Sequence, residues 1–350
     1  MSAHHGPGHL QVVGLTGIGE VHDGDDVAAL VVDALHAQRA SLSDGDVIAV
    51  SSKVVSKAAG LTAAAVDRDE VVLRESRRLV AARRTPTGVA RIVESAAGPV
   101  MAAAGVDASN VEGDVVLTLP HDPDAAAREL RTRLHELTGA VVGVVVTDTA
   151  GRPWRAGQTD FALGAAGIDA VEDLRGSLDT SGRELSVTAR AVVDELAAAA
   201  DLVKGKAEGV PAALFRGLAD LVLPLDDPGP GARSLVRAGA SDWFRLGHVE
   251  AVRAALGAGG VEPPPVVPGT LTERLDRAAE VALAAGPVTG GVVRREGPAL
   301  RVEAADEFSL GALTQRVLAA LWTEFLVGLV DRDLEREPSV VLVRTVELPR

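Results

Sequence analysis

Apolar positions along this chain fall into short runs and staggered stripes rather than one long block. Residues 46–50 (DVIAV) read as a short strand of buried type and 141–146 (VVGVVV) as a continuous apolar run, the pattern of a strand buried on both faces that belongs at the centre of a sheet. Residues 10–22 read as a strand running into a Gly-rich loop. A helix starts at 24–26 (GDD), with Leu30, Val31 and Leu35 on one face. Residues 69–83 predict a charged helix, and 99–104 a short apolar segment ending at Gly105. Asp122 caps a helix with Pro123 at its first position, Leu130, Leu134 and Leu137 on one face, and Gly139 at its end. The stretch 147–182 is rich in Gly and predicts a loop, and 184–203 predicts the longest helix, with Leu185, Val192, Leu196 and Val203 facing inward. Residues 210–214 and 219–223 read as strands or short buried segments, and 226–234 (DDPGPGARS) breaks regular structure. The Gly-Ala-Gly-Gly and Pro-Pro-Pro segment at 257–269 predicts a linker. Beyond it come a helix near 270–285, a strand pair around 290–302, an apolar helix at 308–330 and a strand at 339–347, enough for a small core of their own. The fold class expected is mixed α/β (α+β), without internal repeats.

Composition narrows the chemistry. The 350 residues are 47% hydrophobic but only 2% aromatic, with no Tyr, so the core must be built from Ala, Val and Leu. The net charge of −14 repels nucleic acid and anionic membrane, and neither is expected as a partner. Any anionic substrate must then be held by local Lys and Arg or by metal ions. The absence of Cys excludes thiol nucleophiles, Zn-thiolate sites and Fe–S clusters. The first residues carry no signal-peptide pattern and no run is long and apolar enough to span a bilayer, so a cytoplasmic location is expected. His4, His5 and His9 fit a disordered tail over residues 1–9 better than a metal site.

Thr147-Asp148-Thr149 leaves the most apolar strand, where α/β sheets place ligands. A carboxylate beside a hydroxyl suits a hard cation, although an Asp there also caps turns. Asp107 and Asn110 leave a second turn together, as cation or amide ligands or as an Asx pair. Arg152 and Arg155 follow Asp148 and suit phosphate or carboxylate. Ser51, Ser52, Lys53, Ser56 and Lys57 follow another strand, and their hydroxyls, backbone N–H groups and ammonium groups can cradle phosphate. Neither a P-loop nor a G-x-G-x-x-G order is present. Lys204 and Lys206 end the long helix, as phosphate ligands or as compensation of the helix dipole.

The ordered run SSKVVSKAAG, ESRR, GVDASN, LPHDPDAAARELR, TDTAGRPWRAGQTDFALGAAG, DLRGSLDTSGREL, DELAAAADLVKGKAEGVP and FRGL resembles the coenzyme F420-0:L-glutamate ligase (gamma-glutamyl ligase) family over residues 10–248. The resemblance implies a two-part ligase fold over 10–248, a linker at 249–269 and a small α/β domain of unknown role at 270–350. It implies a GTP-dependent addition of L-glutamate to F420-0 through an acyl phosphate, with Mg²⁺ or Mn²⁺ required, K⁺ assisting, and a homodimer. It implies that Asp107 and Asp148 hold one metal and Thr149 helps hold a second. Leu15, Thr16, Gly17 and Ile18 would border the nucleotide, and Ser52, Lys53, Lys57, Asn110 and the segment containing Lys206 and Glu208 would contact it. Arg152 and Arg155 are expected to hold a substrate carboxylate or phosphate. Two positions depart from the family: Ala59 stands where Glu is common, and Lys206 stands where some relatives carry a Gln near the metal. The tail is about half as long as the flavin-binding domain of longer relatives, so FMN is not expected. Alternatives are an acyl-phosphate amide ligase for another carboxylate, and a nucleotide-binding regulator without turnover.

Overall fold

The computed structural model of the chain describes residues 9–65, 68–85, 88–108, 114–205, 208–237, 242, 244, 246–257, 269–284, 286–331 and 339–347. In chain order the first elements are β1 (Gln11–Gly14), α1 (Val27–Ala37), β2 (Val47–Ser51), α2 (Ser52–Ala58), β3 (Thr62–Ala64) and α3 (Arg68–Arg74). A hairpin of β4 (Ser76–Thr85) and β5 (Gly88–Ser95) follows. Next come β6 (Val100–Ala102), β7 (Val115–Leu117), α4 (Pro123–Thr138), β8 (Gly143–Arg152) and β9 (Arg155–Ala166). The short strands β10 (Glu172–Asp173) and β11 (Ala189–Arg190) precede α5 (Val192–Lys204) and β12 (Ala212–Arg216). The chain ends with α6 (His248–Ala255), α7 (Leu271–Ala284), β13 (Val292–Glu296), β14 (Ala299–Glu303), α8 (Glu307–Thr323), β15 (Leu326–Asp331) and β16 (Val340–Glu347).

These elements group into two units, one of residues 1–76 and 95–237, the other of residues 77–94 and 238–350. The division expected at residue 248 does not coincide with this partition, because the hairpin residues 77–94 are counted with the C-terminal part. Helix α6 also occupies the start of the expected linker, most of which lies outside the described residues, as does the tail up to residue 8.

The first unit is a three-layer sandwich. Its sheet has the order β1-β12-β2-β8-β9, and the one parallel step is β2 beside β8. Alternation of side chains explains both covers. Ile48, Val50, Val144, Val146 and Leu214 point to one face, where Val31 and Leu35 of α1 and Leu130 and Leu134 of α4 bury them. Val47, Ala49, Val145, Ala213 and Phe215 point to the other, against Val193, Leu196 and Ala200 of α5. Helices α1 and α4 are capped as expected: Asp26 accepts from the Ala29 amide at 3.1 Å and Asp122 from the Ala125 amide at 2.9 Å. Helix α4 lies so close to β9 that a Cβ on Gly164 would sit 2.2 Å from the Pro123 carbonyl oxygen.

The second unit has an antiparallel sheet of order β13-β14-β16-β15. Leu300, Val302, Val341 and Val343 on one face pack with Leu275 and Val281 of α7 and Leu313, Val317 and Leu321 of α8.

Four local expectations are corrected. The helix expected at 69–83 stops at Arg74, because 76–85 pairs with the β-branched strand GVARIVES; pairing overrides the helix preference of Arg and Ala. The loop expected at 147–182 is largely β8 and β9, whose register runs from Val144↔Ala166 to Arg152↔Arg155. The helix expected at 184–203 begins only at Val192, after β11. The helix expected at 308–330 ends at Thr323, where Phe325 turns the chain with φ 57°, and the β-branched run that follows becomes β15.

One buried side chain ties α4 to the loop that follows the last strand of the sandwich. Arg131, 3% exposed, donates to the carbonyls of Val142, Leu223, Pro224, Leu225 and Asp227 at 2.6–3.2 Å. The loop has few backbone partners of its own kind there, so the guanidinium substitutes for a strand. Replacing Arg131 by Met should strand these carbonyls and cost at least about 3 kcal/mol in a urea titration. A loss below about 1 kcal/mol would show that the loop finds other donors.

Candidate active site

The parallel step sets the site. Ser51 lies beside Thr147 in the β2–β8 register, so both strands end their apolar part at the same level. There β2 passes directly into α2, while β8 continues into a hairpin with β9. The β8–β9 register slips between Val146 and Thr147: Val146 faces Gly164 and Thr147 faces Ala162, leaving Leu163 as the extra residue of a bulge. Bulges re-aim the side chains beside them, and this one falls at the start of Thr147-Asp148-Thr149.

A cavity of about 900 Å³ opens at this level, walled by residues from α2, β8, β9, the end of α5 and the turn before β7. The half-buried Asp148 carboxylate accepts from Ser52 Oγ at 3.1 Å. Burial pushes its carboxyl up to about 6, helped by the nearby Asp160 and Asp107 carboxylates and opposed by hydrogen bonds from the Thr149 amide and Ser52. Among the described residues no cation pairs with Asp148.

Asp160 lies behind it on β9. Thr147 Oγ1 donates to it at 3.0 Å, Thr149 Oγ1 at 2.5 Å, and Lys204 Nζ at 2.7 Å. Lys204 Nζ also donates to Thr147 Oγ1 at 2.6 Å. Both members of this ion pair are about 95% buried. Burial alone would raise the Asp160 carboxyl, but the Lys204 charge and the hydrogen bonds from Lys204, Thr149 and Thr147 outweigh it and hold it below the usual range. Asp107 comes from the opposite wall, where Lys53 Nζ meets its carboxylate at 2.8 Å. The turn before it is strained: Ala103, Ala104 and Gly105 have φ of 51°, 53° and 74°. Two alanines in the left-handed region cost roughly 1–2 kcal/mol each, and a Cβ on Gly105 would collide with Leu119. Strain of this kind collects at functional sites. Lys57, one turn along α2 from Lys53, pairs with Glu20 on the cavity wall.

The structure therefore brings together Ser52, Lys53, Lys57, Asp107, Asp148, Thr149 and Ile18. Leu15 is core, its amide bonded to the Ala212 carbonyl, and Thr16 and Gly17 are exposed. Glu208 is exposed beside the cavity margin at Gly209, and Asn110 and Lys206 lie outside the described residues. Arg152 and Arg155 face each other at the tip of the β8–β9 hairpin, exposed, on either side of Pro153 and Trp154; they do not line the cavity. Lys204, read from sequence as dipole compensation or a phosphate ligand, is instead the buried partner of Asp160. The signal was present: 196, 200 and 204 share the apolar face of α5, so Lys204 had to be buried and hence paired. Asp160 and Glu20 carried no such signal. Among the described residues no group of three or more His, Asp or Glu is arranged to hold a metal alone. No helix among them is long and apolar enough to cross a membrane.

Residues 17–217 match the family model described as F420-0:Gamma-glutamyl ligase. The chain is 43% identical over 246 residues to the coenzyme F420:L-glutamate ligase of Methanopyrus kandleri, covering 65% of this chain and 94% of that one. It is 36% identical over 252 residues to the protein of the same name from Methanothermobacter thermautotrophicus, covering 67% and 99%. With that of Halobacterium salinarum it shares 40% identity over 228 residues, covering 59% and 87%.

Two measurements probe this geometry. The Asp148 carboxyl titrates near 6 in the fold against an ordinary 3.8. Its raised value costs the fold nothing below the ordinary value, an increasing amount as pH rises between the two, and the full amount above about 6. Asp148→Asn in metal-free protein should thus raise the melting temperature at pH 8 and not at pH 3.5; an equal effect at both would refute the buried-charge account. Lys204→Met leaves Asp160 charged and unpaired and should cost about 3–5 kcal/mol. Lys204→Met with Asp160→Asn should recover part of that loss; a double variant as unstable as the single one would refute the pairing.

Proposed function

The chain belongs to the F420-0:gamma-glutamyl ligase family, and from that premise we propose that it joins L-glutamate to coenzyme F420-0, using GTP and an acyl-phosphate intermediate. The observation that carries this reading is one cavity whose wall combines Asp107, Asp148 and Thr149 with Ser52, Lys53 and Lys57. A carboxylate is a poor acceptor for an amine. Transfer of the GTP γ-phosphoryl group to a carboxylate oxygen of F420-0 breaks the β–γ P–O bond, releases GDP and makes that carboxylate oxygen part of a leaving group. The glutamate amine then attacks the acyl carbon, the C–N bond forms, a proton is lost and phosphate departs. No protein nucleophile is needed, which suits a chain without Cys.

The difficulty of such a reaction is the approach of several anions, and this chain's residues address it by charge and position. Lys53 and Lys57 hold ammonium groups on the α2 wall, where phosphate oxygens would meet them. Ser52 keeps the Asp148 carboxylate aimed into the cavity. Asp160, its charge offset by Lys204, accepts the hydrogen bond of the Thr149 hydroxyl and so leaves that oxygen's lone pairs available. The donors Asp107, Asp148 and Thr149 are all oxygens, and the costly, unpaired charge on Asp148 is the setting a cation relieves, so Mg²⁺ or Mn²⁺ fits. Asp107 and Asp148 would hold one such ion, with Thr149 toward a second. Phosphate oxygens and water would complete the shell, as is usual where protein supplies one or two carboxylates. When bound, the metal would offset phosphate charge during transfer.

The test is incubation with F420-0, GTP, Mn²⁺, K⁺ and L-glutamate, followed by mass spectrometry. A product heavier by one or more glutamyl groups is expected. Asp107→Asn and Asp148→Asn should each lower turnover on the order of 100-fold. Intact GTP binding with no glutamyl product would refute F420-0 as the acceptor, and full turnover by Asp148→Asn would refute the site.

A further inference from the structure

Ser56 is 1% exposed and lies on the α2 wall of the cavity. Its Oγ is the one buried side-chain nitrogen or oxygen among the described residues without a hydrogen-bond partner. Inside a helix such a hydroxyl ordinarily turns back to the carbonyl one turn earlier. This protein does so elsewhere: Thr138 of α4 donates to the Leu134 carbonyl at 2.8 Å and Thr314 of α8 to that of Leu310 at 2.7 Å. Ser56 does not, although the same option exists at Ser52. A buried hydroxyl left unsatisfied costs roughly 1–3 kcal/mol, so its presence calls for a partner that is not part of the fold.

The neighbours identify that partner's charge. Residues 52, 53, 56 and 57 are adjacent on the surface of α2, and all four line the cavity. Lys53 and Lys57 flank Ser56 along the helix, their ammonium groups paired with Asp107 and Glu20, so the lysine side of this face favours an anion over a cation or an amine. The Ser52 hydroxyl is committed to Asp148, so Ser56 is the hydroxyl of this face with a proton to give. The face thus presents a hydroxyl donor between two lysines, each paired with a wall carboxylate and so able to turn to an anion, spaced over a single turn of about 5.4 Å. That pattern matches an extended polyanion rather than a single carboxylate.

We propose that Ser56 Oγ is a phosphate-binding donor, hydrogen-bonding a non-bridging oxygen of the nucleotide's phosphate chain one helical turn along α2 from Ser52. This rests on the nucleotide reading above and adds a residue to it. The hydroxyl contributes to nucleotide affinity and not to folding or to recognition of the amine and acceptor substrates.

The full-length Ser56→Ala variant tests this in three measurements beside wild type. Calorimetric titration with GTP and with GDP in the presence of Mn²⁺ should show affinity lower by roughly ten-fold or more, the loss expected of a hydrogen bond to a charged group. The melting temperature without nucleotide should be equal or higher, since an unsatisfied group has been removed. KM should rise for GTP and stay unchanged for L-glutamate and F420-0. Nucleotide affinities within two-fold of wild type overturn the proposal, as does a melting temperature several degrees lower, which would reveal a structural partner. A KM that rises for F420-0 or L-glutamate instead of GTP also overturns it. Wild-type protein that does not bind GTP at all refutes the nucleotide reading and this inference with it, whereas wild type that binds GTP beside an unaltered variant refutes this inference alone.

Discussion

The buried pair of Lys204 and Asp160 is the interaction on which the cavity depends. It joins the last residue of α5 to β9 underneath the Thr147-Asp148-Thr149 segment. Two opposite charges in so dry a place are not a source of stability in themselves, because desolvation consumes most of their attraction. Their effect is to fix geometry. Asp160 collects both threonine hydroxyls, and Lys204 offsets part of the charge that sits beside Asp148. Of three neighbouring carboxylates, one is thereby paired inside the wall, one is bound to Lys53 at 2.8 Å, and Asp148 is left facing the cavity without a cation of its own among the described residues.

The fold makes this arrangement possible at one point only. The single parallel step in the sheet places the C-terminal ends of β2 and β8 together, which is where open α/β sheets bind ligands. The bulge opposite Val146 and Thr147 then changes the phase of β9, so that Asp160 meets Thr149 in register while Phe161 meets Asp148. On the other strand, β2 passes into α2 with no intervening loop, so the serines and lysines of that helix are set by the position of the strand. The Ser52, Lys53, Asp148 and Thr149 side of the site therefore derives from helix and strand, whereas Asp107 is set by the turn before it.

The sequence made legible whatever depends on local pattern. Helix α4 could be read to the residue from Asp122, Pro123 and Gly139, because capping chemistry is local. The strand-end position of Asp148 followed from the apolar run before it. What escaped was decided by pairing at a distance. The segment 76–85 has helix-favouring composition but becomes a strand because its partner is one. The glycines of 151–164 suggested a loop, yet Gly157 and Gly164 lie within β9. Asp160 escaped for the same reason: its role depends on a bulge and on a lysine from another helix, neither of which has a signature in the residues around it. Lys204 was readable, since a lysine on an apolar stripe requires a buried partner, but the partner's identity was not.

The charge of the cavity bears on how anionic substrates can enter it. Among the described residues its wall carries five acidic side chains, Glu20, Asp107, Asp148, Asp160 and Asp201, against four basic ones, Lys53, Lys57, Arg68 and Lys204. The chain as a whole carries −14. Neither the long-range field nor the pocket therefore attracts a polyphosphate, in contrast to the electrostatic steering that speeds many anion-binding proteins. A bare triphosphate would meet net repulsion at the surface and again at the wall. A triphosphate already carrying a divalent cation brings less charge and supplies the counter-ion that Asp148 lacks. Under the proposed function, metal and nucleotide are thus expected to enter as one species, and the lysines of α2 to select the phosphate chain by contact after entry rather than by attraction from afar.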